Sequence, residues 1–169
     1  MGESFTVWLH LLAVAVWIGP QIFMFAAALP AIRLIEDREV RVRVMRFVVY
    51  RFGYLAWGAM LVIVLTGISQ LFQRTDDFAH VFDSDYRYFH IFTTKMALLG
   101  LTVLLTAGHT FIVGPRQLRL AEQADADPAE TARLRRVSMI ISSLALLASL
   151  GVLFAGALLA NHDYSSQPT

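Results

Sequence analysis

The chain contains no cysteine. That removes disulfides, thiolate metal sites and cysteine nucleophiles together. Charge is the next scarcity. Asp, Glu, Lys and Arg make up 16% of the residues, where a soluble globular chain carries about 25%. The charges that exist are also segregated. Segments 5–32, 52–73 and 137–162 hold none, and segment 88–115 holds only Lys95. Four such gaps exclude a soluble enzyme and a nucleic-acid binder, since neither leaves so much chain without a polar face. Basic and acidic residues nearly cancel, at 14 and 13, so no net charge recruits an oppositely charged partner.

What is present is apolar. The hydrophobic set is 57% of the chain, and mean hydropathy is +0.58. About 20 apolar residues cross a hydrocarbon core ~30 Å thick. In hydrocarbon only helices and closed barrels satisfy the backbone, and these lengths are helical. The sequence therefore predicts one all-α domain over residues 1–169, an integral membrane up-down-up-down four-helix bundle. Its spans are expected at about 5–32, 52–73, 88–115 and 137–162. The leader Met1–Ser4 lacks Lys and Arg, and the apolar run after it is too long for a signal-peptide core. Met1-Gly2 with Thr6 fits a myristoylation pattern by letter, but a span follows it at once. Small residues on the second span (Gly53, Gly58, Gly67) and the fourth (Ala145, Ala148, Gly151, Ala155, Gly156, Ala160) suit close helix packing. Pro20 should kink the first span near Gly19, with Gln21 either satisfying freed backbone or lining a cavity. No internal sequence repeat is evident.

The basic residues orient the bundle. Loop 33–51 carries six arginines and loop 116–136 carries five, against two in segment 74–87 and none in either tail. The positive-inside rule makes loops 33–51 and 116–136 cytoplasmic, and puts both termini outside. This predicts a multi-pass protein of a bacterial-type inner membrane. Segment 38–50 reads as a basic approach to the second span, either anchoring it or lying along anionic lipid. Asp127-Pro128 reads as a break or a helix start.

Ionisable side chains inside a membrane are costly and mark functional candidates. Here they are His10, His90, Lys95, His109 and, at the margin, His162. At ~1.5 Å per residue, His10, His90 and His162 fall in the outer layer, and His109 lies near the inner end. His80 falls in the polar middle loop and reads as solvated. Lys95, Thr102 and His109 recur every seven residues, which is one polar stripe along one helix face. His10, Val14, Trp17, Gln21 and Met24 share a face of the first span by the same counting.

Neutral imidazole is a common metal ligand and an axial ligand of haem iron. Copper(I) prefers sulfur. The six methionines form no close cluster, so copper here would rest on imidazole. Lys95 has no carboxylate at its depth and so should be neutral, or face water, a propionate or another anionic ligand. Each residue also has a plainer role. His90 and His162 can anchor helix ends, Lys95 can snorkel, His109 can bond a neighbouring carbonyl, and Trp17 and Trp57 can simply pack.

Several stretches resemble a known family. The first span, Trp8-Leu9-His10 through Trp17-Ile18-Gly19, looks like the opening of copper resistance protein D (CopD) domain proteins. Arg51-Phe52-Gly53 leading to Thr66-Gly67, and Thr94-Lys95-Met96 in the third span, resemble the same family. His10 seven residues before Trp17, and Lys95, also resemble the related HemJ-type protoporphyrinogen oxidases, which are haem-associated membrane proteins. The resemblance implies a haem b or metal site near the outer face. Its cofactor residues would be His10 and Lys95, with His90, His109 and His162 as candidate partners, and its metal ligands His10, His90 and His162. Three readings follow. One is a haem protein, serving electron transfer with a redox partner or acting as a haem-dependent oxidoreductase. Another is a copper permease or accessory protein. The third is a cofactor-free subunit of a larger membrane complex or homo-oligomer in the lipid bilayer.

Overall fold

The computed structural model describes residues 2–73, 82–123 and 125–168, with His162 described by its backbone alone. Four long helices account for most of it: α1 (Gly2–Arg33), α2 (Arg38–Gln73), α3 (Arg87–Glu122) and α4 (Pro128–Ala160). A short helix, α5 (His162–Ser165), follows. All four long helices are apolar enough to cross a membrane. The protein is an all-α, multi-pass membrane bundle.

The helices are longer than the charge-free segments. At 36 residues, α2 and α3 each extend ~54 Å, well beyond a ~30 Å hydrocarbon core. The excess lies at the arginine-rich end, called the basic end below. There the segment 38–50 is the opening of α2, continuous with its span rather than a separate surface piece. Capping explains the early start. The Asp37 carboxylate accepts from the Val40 amide at 3.0 Å, and Asp127 accepts from Ala129 at 2.9 Å ahead of α4. An aspartate at this place satisfies amide donors that have no intrahelical partner. The expected loop 33–51 thus shrinks to residues 34–37, and α4 begins at Pro128 as the Asp127-Pro128 signal implies.

Pro20 does not interrupt α1, which runs as α-helix from Gly2 to Phe23. The irregularity lies further on, in a π-helical turn over Met24–Ala28. A second π turn occupies His109–Val113 in α3. Each ends two residues before a proline, Pro30 or Pro115. A proline lacks the amide hydrogen and crowds the carbonyl four residues back. Rewinding the preceding turn relieves that crowding within a continuous helix. Gln21 donates to the Trp17 carbonyl at 3.1 Å, not to the Val16 carbonyl that Pro20 leaves without its partner.

Packing is closest within two hairpins, α1 with α2 and α3 with α4, and α1 also lies against α4. The main core joins Ala13, Trp17 and Ile18 of α1 to Ala56, Ala59, Met60 and Ile63 of α2, with Leu99 and Val103 of α3 packed against it. Trp17 crosses between the hairpins, its indole N–H donating to Ser149 Oγ at 3.0 Å. Large apolar side chains such as Phe5, Leu65, Leu104 and Phe154 face outward, where the bilayer replaces water. At the basic end the hairpins are tied by an Arg46–Glu122 ion pair and by Arg38 donating to the Ala121 carbonyl at 3.1 Å.

Candidate functional site

His10 sits on the α1 face that meets α2, and its surroundings fix the ring. Its Nδ1 lies 2.8 Å from Thr66 Oγ1. The Thr66 hydroxyl has one hydrogen, donated to the Val62 carbonyl at 2.6 Å one turn back. With that hydrogen on Val62, or on the Ile63 carbonyl at 3.2 Å, Thr66 accepts from His10 and the proton sits on Nδ1. Nε2 then carries a lone pair, and it has no hydrogen-bond partner among the described residues. Orienting a ring through one nitrogen while the other stays basic is how proteins prepare an imidazole for a metal. Gly67 lies under the ring, where a Cβ would sit in ordinary contact, 3.7 Å from His10 Cε1.

Lys95 is the only lysine in the chain. It projects from α3 onto α4, where a Cβ at Gly156 would lie 3.8 Å from its Nζ. Its Nζ has no ion pair or hydrogen bond among the described residues, and the side chain is partly buried. Along the same stripe, Thr102 is buried with its hydroxyl donating to Leu98 O at 2.8 Å. The stripe expected on the third span does turn inward.

The other candidates have separate surroundings. His109 opens the π turn of α3 and shares a 2.9 Å hydrogen bond with the buried Ser138 Oγ of α4. His90 is exposed, and its Nε2–H donates to the Ser84 carbonyl at 3.0 Å. α4 ends at Ala160, so the backbone of His162 opens α5 instead of closing the fourth span. The side chain of His162, and all of His80, lie outside the described residues. Trp57 packs its ring on Phe111 at 5.7 Å. Among the described residues no three His, Asp or Glu side chains gather as a metal site.

These residues fit copper and haem unequally. A haem needs a slot of porphyrin width beside its axial ligand. Two open surface clefts of about 480 and 440 Å³ lie at opposite ends of α2. Gln70 and Gln73 help line one, Arg38 and Arg46 the other, and neither is lined by His10 or Lys95. The His10 ring is instead packed against Thr66 and Gly67, and neither cleft offers a porphyrin a place beside it. A single metal ion needs only the free Nε2.

Sequence reasoning passed over Thr66, Ser138 and Ser149 as partners. A hydroxyl inside an apolar span is cheap when it bonds its own helix, so spacing alone does not mark these three. Thr66-Gly67 did carry a signal as part of the family resemblance, although not for orienting His10.

No curated protein and no solved structure matches the chain. A family description, copper resistance protein D, does match, over residues 46–160. That covers most of α2 together with α3 and α4, and leaves out α1 with His10. The match takes in more than half of the chain, and its four apolar helices and Lys95-bearing third span agree with the resemblance. The protein belongs to the copper resistance protein D family.

Proposed function

We propose that the protein handles copper inside the membrane, with His10 Nε2 as the contact through which the ion passes. The carrying observation is the held ring. Thr66 takes the Nδ1 proton, and the remaining nitrogen is a neutral donor of the kind copper accepts. The family name supports the choice of ion. One imidazole is a weak donor set, which suits an ion that must both enter and leave. Lys95 supplies a charge beside it. An ammonium near a bound cation raises its energy unless an anion accompanies it, so copper travels here with an anionic co-ligand held by Lys95. The contrast of eleven basic residues against two supports a cytoplasmic basic end, termini outside, and a bacterial-type inner membrane. His10 then lies in the outer half.

The test is uptake of Cu(I) into sealed vesicles carrying the purified protein. His10→Ala should lower the rate at least tenfold. Thr66→Val should lower it between ~10- and 100-fold at most, the range seen when a ligand's orienting partner is lost. Uptake by His10→Ala at the unmodified rate overturns the proposal. A Soret band in the protein as purified would replace copper by haem at the same histidine.

A further inference from the structure

We propose that the chain is one helical hairpin used twice, and that residue 95 is the selectivity position of the second copy, where an ammonium replaces an imidazole. The backbone gives the register. Aligning the two π turns, Met24–Ala28 with His109–Val113, superimposes Pro30 on Pro115 without a gap. The same register sets His10 on Lys95 and Trp17 on Thr102. The prolines follow from the turns they shape, so the coincidence that carries weight is that His10 falls on Lys95.

The second helices agree independently. One constant shift lays Leu55, Ala56, Ala59, Leu61 and Gly67 of α2 on Leu144, Ala145, Ala148, Leu150 and Gly156 of α4, all identical. Burial follows the same register: Ala56, Ala59, Met60 and Thr66 are buried, and so are Ala145, Ala148, Ser149 and Ala155. Two separate alignments thus bring together one contact. His10 faces Gly67, and in the other hairpin Lys95 faces Gly156, at 3.7 and 3.8 Å from the Cβ each glycine lacks. The repeat escaped the sequence because α1 and α3 share almost no identical residues in this register. Packing shape persisted where side-chain identity did not.

One further difference explains why the second copy can carry a lysine. The counterpart of Thr66 is Ala155. An imidazole at position 95 would find no hydroxyl to fix its proton, whereas an ammonium needs no tautomer. Residue 95 therefore limits the site to one imidazole and adds a cation. Restoring both missing features should convert the site to two imidazoles. The copper part of this rests on the reading of His10 above, and the hairpin equivalence does not.

The test uses the full chain bearing Lys95→His together with Ala155→Thr. Nitrogen-15 NMR of labelled histidine, without metal, should show a second ring protonated at Nδ1 and hydrogen-bonded there, like that of His10. Lys95→His alone should lack that signature. With Cu(II) as probe, the nitrogen splitting in EPR should rise from one imidazole to two. An introduced ring that titrates as a solvated histidine overturns the proposal. Should the double variant not fold, the reverse exchange decides: His10→Lys with Thr66→Ala should fold as the unmodified protein does, because that pair already stands in the second hairpin. Failure of both exchanges to fold also overturns it. If the NMR signature appears but no imidazole nitrogen couples to copper in the unmodified protein, the hairpin equivalence stands and the copper reading falls.

Discussion

In the first hairpin Ala13 is part of the buried core and Val62 packs against that core. The equivalent positions of the second carry Leu98 and Gly151, and a Cβ at Gly151 would come within 3.0 Å of Leu98 Cδ1. The large and small partners have changed helices, while the space between the helices is filled in both. The polar position changed differently. His10 comes with Thr66, and Lys95 comes with Ala155. Volume was conserved as a pair, while hydrogen bonding was conserved only where an imidazole needs orienting. The comparison separates what the hairpin requires from what the site requires.

The largest way to break it is to remove what joins the halves. Trp17 fills the core and reaches Ser149 across the hairpin boundary. Trp17→Ala should cost about 3–5 kcal/mol, read as a lower unfolding midpoint in detergent micelles. Trp17→Phe should cost only ~1 kcal/mol, because Ser149 keeps its own bond to the Ala145 carbonyl at 2.8 Å. Equal losses in the two variants would mean that the ring's volume contributes nothing.

A smaller effect sharpens the volume exchange. Gly151→Val drives a branched side chain into Leu98 and should cost about 1–3 kcal/mol by overpacking. Adding Leu98→Ala recreates the Ala-and-Val pair of the first hairpin and should recover most of the loss. The check is a double-mutant cycle on the same unfolding transition, and strictly additive losses would deny that the two pairs are equivalent.

The smallest effect is at the basic end. Arg46 and Glu122 are both substantially exposed, at 52% and 37% of their side chains. Exposed ion pairs contribute roughly 0.2–1 kcal/mol and are screened by salt. Arg46→Ala should therefore lower the midpoint slightly at low ionic strength and leave it unchanged in 1 M salt, about a 3 Å screening length. A salt-independent loss would point to packing of the arginine stem instead.

Much of this architecture was readable beforehand for one reason. A bilayer penalises charge and unpaired backbone so heavily that four charge-free segments leave only four helices. Their ends were less legible. Arg38–Arg51 looks like a loop by charge, but an aspartate cap starts α2 ahead of it and the helix runs straight through. The inward stripe of Lys95, Thr102 and His109 was likewise visible from spacing, whereas the contacts of each member were not. His109 meets Ser138 and His10 meets Thr66, each on the next helix along, at a height that only packing specifies.

The sequence by itself determined that this chain lives in a membrane as four helices, because hydropathy acts on each segment without reference to its neighbours. It also marked Lys95 and His109 as ionisable groups inside the spans, whereas His90, marked with them, lies exposed at the start of α3. Only the tertiary structure decided that His10 meets Thr66 beside Gly67, and that Lys95 meets Gly156. Those facts depend on which turn of α2 faces α1, and which turn of α4 faces α3. Helix register is set by how whole faces interlock, a property of pairs of surfaces that no single stretch of sequence contains.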